Sequence, residues 1–244
     1  MFMQQSFSQK EHEFFKNYFH IKEKPGEVEK KYFSKAKKYL NYIKWIPGLQ
    51  MVMIGNTLSM NAGKESSDID LYIVTQKNRL WLVRIAITFL FQILGVRKTA
   101  KKHAGRFCLS FFSTEEGMDF SNFALDDNDI YLYFRLVYAK PVINFNQTYG
   151  QFLQKNTSWC DISEYKNIIN YNKSFIKFSG NKKRSTGKIL DFVDACLKKI
   201  FLPKTLKSYQ KLGKPFGIVI SEKYLKFHDN DIRKKIREEF LKQK

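Results

Sequence analysis

The stretch that decides the fold is GNTLSMNAGKESSDIDLYIVT, from Gly55 to Thr75. The continuous apolar run before it, Leu49 to Ile54, is typical of a short buried strand. Ile69 to Val74 is rich in β-branched and aromatic residues and predicts a second strand. The segment between the two is small and polar and contains two glycines. The sequence therefore predicts two strands joined by a glycine-containing turn and a polar loop.

Asp68 and Asp70 are two residues apart where the second strand begins, so their side chains are expected on one face. Two buried carboxylates at one point repel each other, and a divalent cation such as Mg²⁺ or Mn²⁺ removes that cost. An isolated Asp-x-Asp is more often a pair of solvated surface charges. The apolar strand that follows and the glycine turn that precedes favour a metal site that binds a nucleoside triphosphate. In such a site Gly55 lets a phosphate approach the backbone, and the hydroxyl of Thr57 or Ser59 donates to it.

Over Leu49 to Thr75 the chain resembles the DNA polymerase β-like nucleotidyltransferase superfamily, whose signature is a Gly-Ser turn followed by Asp-x-Asp. SSDIDLYIVT, from Ser66 to Thr75, is close to the family pattern, and Thr57 or Asn56 stands for the family serine, depending on the register. With Ser67, the expected nucleotide-binding residues are Gly55, Asn56 and Thr57. Three further segments resemble bacterial nucleotidyltransferase-domain proteins that have no settled substrate. They are residues 80–98, 106–112 and 224–233.

The resemblance implies two divalent metals, a nucleoside triphosphate donor such as ATP, and transfer of a nucleoside monophosphate to an acceptor. It assigns Asp68 and Asp70 as catalytic metal ligands and implies a third carboxylate on a later strand. The strand expected there, Arg106 to Ser113, contains no acidic residue, and Cys108 or Ser110 takes the position. Glu116 or Asp119 is then the substitute from the following loop, and Glu115 is also near in sequence.

The predicted fold is α/β, with a small mixed sheet, flanking helices and a helical C-terminal region. The predicted segments are residues 1–46, helical; 47–120, the nucleotidyltransferase core; and 121–244, mainly helical and basic. Helices are predicted over residues 1–24, 27–46, 78–94, 126–138, 149–156, 186–212 (one or two, with a break at Pro203) and 229–242, and a further strand over 217–220. Asp229 or Asn230 is expected to cap the last helix.

The 244 residues are 43% hydrophobic and 16% aromatic, which excludes a disordered chain. The formal net charge of +20 favours a polyanionic partner such as nucleic acid, nucleotide or an anionic membrane surface. Enrichment in Lys by compositional drift explains the charge equally well. Residues 181–214 hold ten Lys plus Arg against two acidic residues, with Phe201 and Tyr209 among them. This region either binds RNA or is a solvated helix face.

The three cysteines are scattered and form no Cys-x-x-Cys pair, which predicts reduced thiols in the cytoplasm. Leu80 to Val96 is short for a membrane span and is interrupted by Arg84 and Gln92, so we expect a buried helix and no stable membrane insertion. Arg84 is either a triphosphate contact or part of a polar surface stripe with Thr88 and Gln92, and the stripe is favoured.

Three functions remain open from the sequence. The first is a metal-dependent nucleotidyltransferase whose acceptor is unknown. The second is a catalytically weakened module of the same fold that binds RNA or a partner protein. The third and weakest is a toxin–antitoxin-like regulator that modifies a protein or tRNA. His228, beside Asp229 and Asp231, is either a metal or acid–base residue or part of a helix start, and the helix start is favoured.

Overall fold

A computed structural model of the chain describes residues 4–228 and 231–243. Within these residues the chain has a mixed α and β architecture around one seven-stranded mixed sheet. The strands are β1 Leu49–Ile54, β2 Ile69–Thr75, β3 Phe107–Thr114, β4 Lys140–Phe145, β5 Phe178–Gly180, β6 Ile218–Ile220 and β7 Tyr224–Phe227. The α-helices are α1 Gln9–Phe19, α2 Glu27–Ile43, α3 Asn56–Ser59, α4 Leu80–Ile93, α5 Ile130–Tyr138, α6 Thr148–Asn156, α7 Lys166–Lys173, α8 Lys188–Lys211 and α9 Arg233–Leu241. Short 3₁₀ turns span Glu115–Gly117, Phe120–Phe123 and Ser163–Tyr165.

The strands lie in the order β5-β4-β1-β2-β3-β7-β6. β1 pairs antiparallel with both β2 and β4, and β2 pairs parallel with β3. Four of the seven strands come from residues 121–244, the segment predicted to be mainly helical. The α/β class therefore agrees with the structure, and the C-terminal segment also extends the sheet.

Alternation along the central strands gives the sheet two apolar faces. Tyr72, Val74 and Phe111 belong to a first core with α1, α5 and α6, and we call this side the first face. Leu71 and Ile73 belong to a second core with α2 and α4, on the second face. Since successive strand residues point to opposite faces, the sequence of β2 determines which side chains reach each core.

Most predicted elements agree with the structure to within a few residues, and β1 agrees at both ends. The helix predicted over residues 1–24 is too long: α1 begins at Gln9, because Gln5 pairs with Cys160 in a β-bridge, and it ends at Phe19. The prediction has no counterpart for α3, α7, β4, β5 and β7. α8 continues through Pro203 as one helix. α9 begins at Arg233, and the cap predicted at Asp229 or Asn230 lies outside the described residues.

Helix α8 is fixed to α4 by the two acidic residues of the basic segment. Asp191 accepts a hydrogen bond from Arg79 Nη1 at 2.5 Å, and Asp194 Oδ1 accepts one from the backbone N–H of Leu82 at 2.8 Å. The backbone N–H of Leu82 lies in the first turn of α4, so Asp194 satisfies a donor that the helix leaves unpaired, whereas Asp191 forms an ion pair with the Arg79 side chain. Among the helices of the described residues, none combines the length and apolar character that crossing a membrane requires.

Lys140, the first residue of β4, is almost fully buried and supports the loop after β1. Its ammonium donates to the carbonyl of Ser59 and to Asn61 Oδ1, which is 3.3 Å away. Burial lowers the pKa of Lys140 to about 7, although nearby Glu29 acts in the opposite direction. Lys140 thus stabilises the end of α3 while its own charge is disfavoured.

Replacing Lys140 with Met should remove a pH dependence of stability. The pKa is lower in the folded state than in the unfolded chain, where it is about 10.4. Between about pH 7 and 10 the unfolded chain therefore binds more protons, and wild-type stability rises with pH by up to about 1.4 kcal/mol per unit from this group. Urea unfolding across this range should show the wild type gaining stability relative to Lys140→Met. The exposed Lys31→Met variant is the control and should run parallel to the wild type.

Candidate metal and nucleotide site

Two carboxylates and a thiol converge where β2 and β3 begin. One ligand atom each from Asp68, Asp70 and Cys108 lies within 4.8 Å of the other two. Asp70 points to the first face because its neighbours Ile69 and Leu71 pack into the second core. The two carboxylates thus lie side by side as the sequence indicates, and their role as metal ligands remains a prediction.

Cys108 reaches the carboxylates through the parallel register of β2 and β3, in which it is the partner of Asp70. The next pair is Tyr72 with Phe111, so β3 carries one extra residue at this point. Such a bulge turns side chains and is frequent beside functional sites. Of the two alternatives from the sequence, Cys108 and Ser110, Cys108 is the one in the cluster.

The cluster is electrostatically unfavourable for two negative charges. Burial and the neighbouring Asp68 raise the pKa of Asp70, while a hydrogen bond from the Asn56 side chain and the charge of Arg135 oppose the rise. Burial, with Asp70 beside it, raises the pKa of the Cys108 thiol to about 12, so the thiol is neutral at pH 7. A cation at this point would relieve the repulsion between the carboxylates.

Lys98 supplies the nearest positive charge, with its Nζ 2.5 Å from Asp68 Oδ2. Its position is set by the chain after α4, where the backbone N–H of Lys98 donates to the carbonyl of Phe107 at 2.8 Å. This ion pair ties the start of β3 to the carboxylate pair.

The glycine turn lies directly beside Asp70. The backbone N–H of Gly55 donates to the Asp70 carbonyl at 3.0 Å, and Asn56 adopts a left-handed φ of 55°, which Asn tolerates better than most residues. Asn56 Oδ1 is buried and has no hydrogen-bond partner among the described residues. A Cβ on Gly55 would meet only Arg135 Nη2, at 3.9 Å. The turn therefore has open backbone, an unpaired oxygen and a guanidinium at its edge.

The other predicted nucleotide-binding residues differ in their surroundings. Thr57 is half-buried in the turn, and its carbonyl accepts from the N–H of Ala62. The hydroxyl of Ser59 is buried and donates to the Asn56 carbonyl at 2.8 Å, so it does not serve a phosphate. Ser67 Oγ accepts from the N–H of Lys64 at 2.9 Å. Ser67 thus closes the loop, and its geometry gives no support to a nucleotide contact.

The substitute carboxylates predicted after β3 are wrong. Asp70 pairs with Cys108 at the start of β3, and Glu115 and Glu116 follow Thr114 at its other end. At about 3.3 Å per residue, this separates them from Asp70 by roughly 20 Å. Each candidate also has another role. Glu115 pairs with Arg184, Glu116 pairs with Lys77, and Asp119 accepts from the N–H of Ser121.

Sequence reasoning missed Arg135 as a site residue, and it favoured a helix start over a metal or acid–base role for His228. Arg135 is the only charged residue of α5, lies over the ring of Tyr131 at 5.5 Å, and influences the pKa of both Asp70 and His228. Both ring nitrogens of His228 are buried without a hydrogen-bond partner in the described chain, and burial holds its pKa well below the usual value. A lone Arg within an apolar helix was the available signal. Nothing in the sequence placed His228 near it.

The three side chains of the cluster offer a divalent cation both hard oxygen ligands and a soft sulfur ligand. Two carboxylates are the hard oxygen ligands that Mg²⁺ and Mn²⁺ take. A thiol is a poor ligand for Mg²⁺ and suits softer ions such as Zn²⁺ once it is deprotonated. Asp68 and Asp70 would hold the cation, and Cys108 would add to them only for a softer metal.

Asp70→Asn should weaken Mn²⁺ binding at least about tenfold, because one of two charged oxygen ligands is lost. Without metal the variant should be no less stable than the wild type, since the repulsion with Asp68 disappears. Free Mn²⁺ measured by electron paramagnetic resonance and metal-free melting temperatures test the two statements. Glu65→Gln removes an exposed acid from the same loop and should leave the Mn²⁺ affinity unchanged. Equal affinities for wild type and Asp70→Asn would contradict the metal assignment.

Comparison with known proteins gives no independent identification. No family model, no curated protein and no solved structure matches the chain. The functional assignment therefore depends on the geometry of the cluster and the turn.

Proposed function

We propose that the chain is a metal-dependent nucleotidyltransferase that moves a nucleoside monophosphate from a nucleoside triphosphate, such as ATP, to an acceptor. The observation that carries the proposal is the approach of Asp68, Asp70 and Cys108 to within 4.8 Å beside a glycine turn. Paired carboxylates next to open backbone suit a cation and a phosphate chain together. The unpaired cysteines fit a reducing compartment, and we propose the cytoplasm.

The positive charges around the turn fit a triphosphate. Arg135 reaches the edge of Gly55, and Lys98 lies against Asp68. A bound cation would compete with Lys98 for Asp68, and the freed ammonium would then be available to a phosphate oxygen. In this proposal, the backbone of the turn and the Arg135 guanidinium hold the phosphates.

The proposed reaction is an in-line displacement at the α-phosphorus. The acceptor oxygen forms a bond to phosphorus, the bond to the bridging oxygen breaks, pyrophosphate leaves, and the acceptor proton passes to solvent. The divalent cation supplies charge neutralisation for the phosphate oxygens. Asp68 and Asp70 fix its place, and the rigid register of β2 and β3 fixes theirs.

Cys108 limits this chemistry. A neutral thiol stands where the resemblance expects a third carboxylate, so the site offers two anionic ligands. A second cation would then depend on the substrate phosphates for its remaining ligands. We therefore expect slow transfer with Mg²⁺.

The Cys108 thiol in place of a third carboxylate also favours a second candidate function, a binding module that holds RNA or a partner protein without transfer. The basic segment, residues 181–214, gives it partial support. Lys182, Arg184 and Lys198 are engaged with protein groups, namely two backbone carbonyls, Glu115 and Glu222. Most of the remaining basic side chains on α8 are exposed and free to meet phosphates.

Cys108→Asp should raise Mg²⁺-dependent transfer by about tenfold or more, because it adds the missing hard ligand. The assay incubates the protein with labelled nucleoside triphosphates, Mg²⁺ or Mn²⁺, and cellular RNA, protein and metabolites. Cys108→Ser is the matched control, since it keeps the size without the charge and should not raise the rate. Transfer by the wild type should disappear in Asp68→Ala and Asp70→Ala.

Two outcomes separate the candidates. Transfer that depends on both aspartates supports the enzyme. Salt-sensitive RNA binding that survives Asp70→Ala, with no transfer by the wild type or by Cys108→Asp, supports the binding module and contradicts the enzyme.

A further inference from the structure

A basic cavity lies between α4 and α8, on the second face of the sheet. Its volume is about 420 Å³, within the usual range of small-ligand sites. Its apolar wall includes Leu109, whose neighbour Cys108 belongs to the carboxylate cluster. Successive strand residues point to opposite faces, so the cavity and the proposed metal site are separated by the sheet.

Three cations line this cavity: Arg84, Arg97 and Lys204. None of the described residues that line it is acidic. Arg84 lies between two aromatic rings, 5.0 Å from that of Trp81 and 4.7 Å from that of Phe227. The sequence favoured a polar surface stripe of Arg84, Thr88 and Gln92 on α4. Only Gln92 is exposed, whereas Arg84 and Thr88 line the cavity.

The guanidinium of Arg84 lacks a hydrogen-bond partner for one of its nitrogens. Its Nη1 is buried and has no hydrogen-bond partner in the described part of the chain. Burial and the like charge of Arg97 lower the pKa of Arg84 to about 10. A buried guanidinium N–H without a partner is costly, and an anion in the cavity would satisfy it.

The remaining residues that line the cavity indicate which chemical group is attached to the anion. Phe201, Ile218 and Phe227 give the cavity an apolar floor, and Tyr209 and Ser208 add hydroxyl groups. The volume exceeds what a bare phosphate needs. We propose that this cavity binds a phosphate group attached to an apolar or aromatic body, as in a nucleotide or a lipid headgroup, independently of the site at Asp68 and Asp70.

The test measures binding to the full chain in EDTA, which removes the cation from the carboxylate site. The probes are inorganic phosphate, AMP, and vesicles of phosphatidylglycerol compared with vesicles of phosphatidylcholine. Lys204→Ala should weaken binding about fivefold, and Arg84→Lys about tenfold, because Lys keeps the charge and loses the fork of donors. Lys207→Ala removes the same charge from an exposed position of α8 and should have little effect.

AMP or phosphate binding with this pattern identifies a soluble ligand, and selective binding to phosphatidylglycerol vesicles identifies a lipid headgroup. Both support the site. No binding of any probe, or equal losses in Lys204→Ala and Lys207→Ala, overturns it. Asp70→Asn should leave AMP binding in EDTA unchanged, so a failure of this proposal is distinct from a failure of the proposed nucleotidyl transfer. Melting temperatures of all variants without ligand show whether Arg84→Lys remains folded.

Discussion

The repulsion between two carboxylates at the start of β2 is the constraint on which the site depends. Asp68 and Asp70 are held together by strand geometry, and burial raises the pKa of Asp70 further. The fold tolerates this because three neighbours oppose it: the Lys98 ammonium, the Asn56 side chain and the Arg135 guanidinium. Each comes from a different element, so the central strands, the turn and α5 must all be in place before the pair is stable. A cation would provide the same compensation at one point, which is why the arrangement suits a metal.

The central part of this arrangement was readable from the sequence. β1 and β2 are short apolar runs bounded by glycine and polar residues, and local pattern is enough to locate them. The face shared by Asp68 and Asp70 follows from the two-residue period of a strand. The close contact of Gly55 with Asp70 follows from the antiparallel pairing of β1 with β2.

The rest depends on long-range pairing, which a single sequence does not encode locally. β4 begins with Lys140 and Pro141, residues that disfavour a strand. It nevertheless pairs with β1, because the backbone N–H and C=O groups on that side of β1 would otherwise be buried without hydrogen-bond partners. The bulge that brings Cys108 to Asp70 is a matter of register between β2 and β3. The loop carboxylates predicted as substitutes were wrong for the same reason. The sequence does not show that β2 and β3 pair in parallel, and this pairing places Glu115 and Glu116 at the opposite end of β3 from Asp70.

Arg97 and Lys98 are consecutive residues of one extended segment that face opposite sides of the sheet. Lys98 pairs with Asp68, and Arg97 lines the cavity with Arg84. The segment is held to β3 by backbone hydrogen bonds from the N–H of Lys98 to the carbonyl of Phe107 and from the N–H of Phe107 to the carbonyl of Val96. An anion that draws Arg97 inward and a cation that displaces Lys98 from Asp68 would therefore act on the same short stretch of backbone. Cys108 and Leu109 repeat this arrangement on β3, so two pairs of adjacent residues separate the proposed metal site from the cavity while each site keeps its own set of ligands.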